Sequence, residues 1–94
     1  MNTKAKGARA ERRARAMLEA AGWTVIRAGG SLGPFDLVAV SRRGLRLLQV
    51  KCNRGLRRKE RMALAAFNNF PRGARRELWL FHDRLLTPQI EVFQ

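Results

Sequence analysis

Three polar residues interrupt a stretch that otherwise reads as buried strand. In "GGSLGPFDLVAVSRRGLRLLQVKCN", residues 29–53, Asp36 follows a glycine- and proline-containing turn, and Gln49 and Lys51 break a run of leucine and valine. With residues 41–44 as the turn of a hairpin, Val40 pairs with Leu45, Val38 with Leu47, and Asp36 with Gln49. Alternation puts Asp36, Val38, Val40, Leu45, Leu47, Gln49 and Lys51 on one sheet face, with opposed β-carbons about 5 Å apart. The polar residues then converge at one end of the hairpin, and the other end is apolar. A buried charge needs a partner or a task. The structural reading is an Asp36–Lys51 ion pair, with Gln49 meeting the remaining hydrogen bonds. The chemical reading adds Glu11, on the flank of a helix that closes over the same face, and a glycine-rich loop that lets a bulky ligand approach.

A carboxylate, an amide oxygen and a second carboxylate make a hard oxygen site suited to Mg²⁺ or Mn²⁺. The Val50 carbonyl adds a further ligand. Lys51 is then set to orient an activated water or to stabilise charge on phosphate oxygens. In-line attack of water on a phosphodiester is the reaction these parts support.

The elements that must position these residues follow from periodicity. Residues 8–21 read as a helix, with Ala10, Ala14, Met17, Leu18 and Ala21 as its apolar stripe and Gly22 as its stop. Glu11 lies about 70° from the centre of that stripe. Residues 23–28, 35–40 and 45–53 read as strands. Residues 56–70 read as a second helix that buries Met62, Ala63, Ala66, Phe67 and Phe70 and ends at Pro71. Residues 76–82 and 90–94 read as a fourth and a weaker fifth strand. The order is α-β-β-β-α-β-β, an α/β or α+β sandwich in a single domain over residues 1–94.

The charge balance narrows the partners. The 94 residues carry 20 Lys and Arg against 7 Asp and Glu, a net +13. That excess points to a polyanion, nucleic acid first, bound through phosphate contacts. The basic residues concentrate at 4–15 and at 42–61, where Arg42, Arg43, Arg46, Lys51, Arg54, Arg57, Arg58, Lys59 and Arg61 stand. Lys4, Lys6, Arg9, Arg12, Arg54, Arg57 and Arg58 are the candidate DNA-binding residues. No apolar run is long enough to span a membrane. The lone Cys52 excludes an internal disulfide and fits a reducing cytoplasm, of a prokaryote or a phage-infected host.

Taken together, Glu11, "PFD" at 34–36 and "QVK" at 49–51 resemble the PD-(D/E)xK nuclease superfamily, whose pattern is a helix glutamate, a "PD" before the second strand and a "(D/E)-x-K" on the third. Within it, residues 7–53 are most similar to archaeal-type Holliday junction resolvases, also carried by some phages. The resemblance implies a restriction-endonuclease-like core, a mixed central sheet of about five strands flanked by helices. It also implies Mg²⁺-dependent cleavage of branched DNA, with Mn²⁺ as a substitute, by a homodimer. Asp36 corresponds to the principal metal ligand, Gln49 to the second acidic ligand, Val50 to a carbonyl ligand and Lys51 to the catalytic lysine. Glu11 corresponds to the helix acid and Ser31 to a loop serine near the scissile phosphate. The departure is Gln49, a neutral amide where the family has an acid, which lowers metal affinity. The same residues are compatible with an Mrr-like or general DNA nuclease, and with a silenced DNA-binding protein.

The remaining residues read as structural. His82 has no acid at triad spacing, and Cys52 is a small core residue. The aromatics alternate with aliphatics and so read as core or dimer contacts, with Phe67 and Phe70 at a subunit interface.

Overall fold

A computed structural model describes residues 3–93. The elements are α1 (Thr3–Ala20), β1 (Thr24–Arg27), β2 (Leu37–Ser41), β3 (Gly44–Cys52), α2 (Arg58–Ala66), β4 (Arg75–Phe81) and β5 (Gln89–Phe93), in the expected order. Gln94, expected as the last residue of the fifth strand, lies outside the described residues. The strands form one five-stranded sheet in the order β1-β2-β3-β4-β5. β3 and β4 run parallel, and every other neighbouring pair is antiparallel. Parallel neighbours need a crossover, and α2 with its flanking loops supplies it. The hairpin register is the one read from the sequence, with Val38 opposite Leu47 and Val40 opposite Leu45.

The central strand β3 is covered on both faces, which is why leucine and valine stand on both of its sides, Leu45 and Leu47 on one and Leu48 and Val50 on the other. On one face α1 lays Ala10, Ala14 and Leu18 against Val25, Leu37, Ala39, Leu48 and Val50. On the other, Leu64 of α2 meets Phe35 and Leu47, with Val38, Leu45 and Phe67 around them. The expectation that α1 closes over the Asp36–Lys51 face is therefore corrected. It covers the opposite face, because the stripe at spacing four fits the side of the sheet carrying Leu48 and Val50. The stripe is also narrower than expected: Met17 and Ala21 are exposed. α1 starts earlier than residue 8, since Lys4, Ala5 and Lys6 are good helix formers and Gly7 is tolerated inside it.

α2 departs further from expectation. It ends at Ala66, with Phe67 already extended as its C-cap. Its buried residue is Leu64, whereas Met62, Ala63 and Ala66 face outward. A nine-residue helix offers two stripes of similar apolarity, and packing against Phe35 and Leu47 selects the one through Leu64 and Phe67. The buried Arg76 helps to stop it: Nη1 donates to the carbonyls of Leu64 at 3.2 Å and Ala65 at 2.6 Å. Those are carbonyls a helix end leaves open. Phe67 and Phe70, expected at a subunit interface, are partly buried within the chain. Phe67 sits edge-on to Phe35 at 5.0 Å and stacks on Phe70 at 6.0 Å.

Glu77 on β4 is fully buried on the α1 face. Arg46 Nε and Nη2 each donate to its carboxylate at 2.7 Å, and the Trp79 indole N–H donates at 2.8 Å. The Arg46 guanidinium also lies over Trp23 at 5.0 Å and Trp79 at 5.6 Å. Its charge therefore serves the interior. A buried pair stripped of one member leaves an uncompensated charge, so Arg46→Ala is expected to cost about 3–5 kcal/mol. Arg75, half exposed and 3.5 Å from the same carboxylate, is expected to cost less than about 1 kcal/mol on removal. Urea melts of the two variants check the contrast.

Candidate active site

Asp36 stands where the sheet runs out. The β2–β3 ladder ends at Leu37 opposite Leu48. One residue upstream, the Asp36 N–H still donates to the Leu48 carbonyl at 2.7 Å, and its carbonyl accepts the Ala28 N–H at 2.8 Å. Its side chain then replaces the missing next strand residue: Oδ2 accepts the Val50 N–H at 2.8 Å. Gln49 Nε2 donates to the same oxygen at 3.3 Å. Both bonds fall on Oδ2, which leaves Oδ1 for another partner. In an extended strand the N–H and C=O of one residue point the same way. The Val50 carbonyl therefore also looks past the end of the ladder, toward the Asp36 side.

Glu11 reaches this end of the sheet from the α1 face. It pairs with Arg27 at 3.7 Å and lines a hollow of about 210 Å³ with Ala8, Arg12, Arg15, Arg27 and Leu37. Glu11 feels the charge of Asp36. Burial and the Asp36 charge push the Glu11 carboxyl above its usual range, against the pull of Arg27. Burial also pushes Asp36 up, opposed by the Val50 N–H, Lys51 and Arg27. Both carboxyls are raised by burial, and Glu11 also by the Asp36 charge, and a nearby cation relieves both. Asp36, Glu11 and the Val50 carbonyl thus fit a hard divalent cation as donors, and the Gln49 amide, which presents Nε2 to Asp36, adds its oxygen only if the amide turns over. Among the described residues no cluster of three His, Cys, Asp or Glu side chains is arranged to hold a metal. The donor set relies on the carbonyl, and on the amide once turned, for its remaining oxygens.

Lys51 departs from the simplest sequence reading. Its ammonium donates to Glu60 of α2 at 2.5 Å, so the Asp36–Lys51 ion pair is not formed. Its charge is still felt at Asp36. Ser31 is exposed on the loop after β1, where its hydroxyl donates to the Ala28 carbonyl. Ala28 is the residue bonded to the Asp36 backbone, so the loop is anchored at the site. Gly33 in that loop has φ +55°, and a Cβ there would lie 3.0 Å from the Phe67 ring. The loop needs this glycine for its turn and for packing on α2.

The candidate DNA-binding residues divide. Lys4, Arg9, Arg12, Arg54, Arg57 and Arg58 are exposed. Lys6 is half-buried and pairs with Asp83 at 2.8 Å. Lys6, Arg9 and Arg13 line a hollow of about 390 Å³ closed by Cys52, Phe81, His82 and Asp83. Within the second basic stretch, Arg43, Arg46 and Arg61 are turned to intramolecular tasks: Arg43 donates to the Ala21 carbonyl, Arg46 to Glu77 and Arg61 to Glu91. His82 shares a hydrogen bond with Gln89 at 3.2 Å, in keeping with a structural residue.

Two residues of the site escape sequence reasoning. Glu60 takes the Arg57 N–H at 2.8 Å as the third residue of α2. That role shows only when the helix is started at Arg58 rather than 56. Arg27 lies opposite Leu37 in the β1–β2 register, and its closeness to Asp36 follows only once that register is known.

Three comparisons bear on this arrangement. A family model described as PD-(D/E)XK endonuclease matches residues 1–82. Among solved structures, the chain is similar to Hjc of Archaeoglobus fulgidus, a Holliday junction resolvase from an archaeal hyperthermophile. The TM-score is 0.69 at 29% identity, covering 94% of this chain and 71% of that one. No curated protein matches. The chain belongs to the PD-(D/E)XK endonuclease family.

The raised carboxyls give a signed pH dependence. Asp36 holds a proton more tightly folded than unfolded, so its contribution to stability falls as pH rises from its ordinary value of 3.8 through the folded value. Without divalent cations, Asp36→Asn is expected to melt above wild type at neutral pH, and the difference is expected to shrink on acidification. Thermal melts of both proteins across pH 4–8 measure that difference curve.

Proposed function

We propose that this member of the family is an endonuclease of branched DNA, four-way junctions first. Mg²⁺ is its cation and Mn²⁺ a substitute, and a homodimer supplies the two sites that paired cuts require. One observation carries the reading: Asp36 is fixed by the Val50 amide within electrostatic reach of a second carboxylate, Glu11, and of a cation, Lys51. The preference for junctions is supported by the similarity to the Archaeoglobus resolvase and by the glycine-rich loop leading into Asp36.

The roles follow from the contacts. Asp36 offers Oδ1 to the cation while Val50 and Gln49 hold Oδ2. Glu11 pairs with Arg27 through Oε1 and keeps Oε2 for the cation or for a proton, which its raised proton affinity suits it to hold. Lys51 brings a positive charge beside Asp36, where it offsets charge building on the phosphate oxygens. When held by this donor set, a divalent cation supplies Lewis-acid polarisation of the phosphate and of the attacking water. Arg54, Arg57 and Arg58 follow Lys51 directly and are the groups that grip neighbouring phosphates, with Lys4, Lys6, Arg9 and Arg12 extending the basic surface along α1. Ser31 contacts the strand near the cut.

A second reading, a DNA-binding protein with a silenced site, is favoured by Gln49 alone. Its amide adds no charge to the ligand set. A labelled four-way junction and a linear duplex of the same sequence, each with Mg²⁺ or Mn²⁺, separate the two readings. Symmetric nicks in the junction are expected, reduced at least about 100-fold by Lys51→Ala. Tight junction binding without cleavage would establish the silenced protein.

Asp83 offers a test of the DNA path. It neutralises Lys6 and lies near Arg9, and the Lys6 hydrogen bond first, then that of Asn53 and the two positive charges, hold its carboxyl below the usual range. Asp83→Asn is expected to tighten DNA binding. If the freed lysine gains one phosphate contact, the slope of log affinity against log salt should steepen by about 0.9. Fluorescence anisotropy over a salt series measures it.

A further inference from the structure

We infer that Glu60 is a positioning residue for Lys51, holding the charge that the neutral Gln49 does not supply; the inference rests on the nuclease reading above. Gln49 and Lys51 are two apart on β3 and so share a sheet face. An acid at 49 would give the Lys51 ammonium a carboxylate neighbour on its own strand. With an amide there, the carboxylates left to it are Asp36 and Glu60. The ammonium is bonded to Glu60, at 2.5 Å, and Asp36 feels it only through space. Asp36 therefore remains open to a cation instead of being closed by the lysine.

Glu60 is itself fixed. Oε1 accepts the Arg57 N–H while Oε2 takes Lys51. The carboxylate is thus clamped to the first turn of α2, and both contacts hold it below the usual carboxylate range, Lys51 first. Lys51 is in turn held between β3 and α2. The other charged groups at this junction are Arg57 and Arg58 at the helix start, and Asp36 with Arg27 across the sheet end. Glu60 therefore connects the lysine to the basic segment 54–58 that follows it, and seating of DNA on that segment bears on where the ammonium stands.

Glu60→Gln separates the two roles of this side chain, because the amide oxygen can still cap Arg57 but brings no charge. Two readouts are needed. In junction cleavage, Glu60→Gln is expected to lower kcat about 10- to 100-fold, the scale of a misplaced catalytic group, with KM for DNA unchanged or lower and Tm retained. Adding Gln49→Glu in that background is expected to restore at least half the loss on a logarithmic scale. Unchanged kcat in Glu60→Gln, or a loss that Gln49→Glu leaves untouched, would overturn the inference. If wild type cuts no DNA, the nuclease reading fails on its own. The positioning is then read by nitrogen-15 NMR of the Lys51 ammonium. A distinct, slowly exchanging resonance in wild type that is lost in Glu60→Gln upholds the tether, and identical spectra overturn it.

Discussion

The bond from the Val50 N–H to the Asp36 carboxylate is the constraint on which the site depends. It sits where β2 has ended and β3 continues, so an amide that would lack a strand partner is given a side-chain acceptor. That contact fixes one oxygen of Asp36 in the plane of the sheet. It also fixes the direction of the Val50 carbonyl and sets Gln49 beside the same carboxylate. Structure and chemistry here use one interaction: the residue that finishes the sheet is the residue that offers an oxygen beyond it. A group with both roles explains why burial raises its proton affinity and yet does not exclude it from the fold.

The arginines show a second principle. A net +13 chain is under self-repulsion, and this one turns part of its charge inward. Arg46 is bonded to the buried Glu77 and stacked between two tryptophans. Arg76 lies over Phe70, Arg13 over Phe81 and Arg43 over Trp23. Planar guanidinium groups suit such positions, where a compact ammonium would lose more hydration. The surface charge presented to a polyanion is therefore smaller than the composition implies, and it is sorted onto α1 and the segment after Lys51.

The hairpin was legible because its turn is short and one face is plainly apolar, so a single register satisfies both strands. Element order and the closeness of Asp36 to Gln49 came with it. The face chosen by α1 was not legible. The stripe of Ala10, Ala14 and Leu18 declares only that one side is buried, and both faces of β3 are apolar enough to receive it. The end of α2 was hidden because part of its stop comes from Arg76 on the next strand, remote in sequence from the carbonyls it binds. The same remoteness hid Glu77, whose partner Arg46 lies on β3, whereas Glu60, only nine residues from Lys51, was hidden by starting α2 too early.

The single parallel pairing has a consequence in time. β2 and β3 meet across a tight turn, a contact between near neighbours in the chain. β3 and β4 meet only after residues 53–74 have looped back, and such closures cost more entropy before they are rewarded. The half of the site built on Asp36 and Val50 thus belongs to the part of the molecule that assembles locally. The tether from Lys51 to Glu60 spans only nine residues and closes within the crossover segment itself, so β4 is the part of the sheet whose docking waits longest.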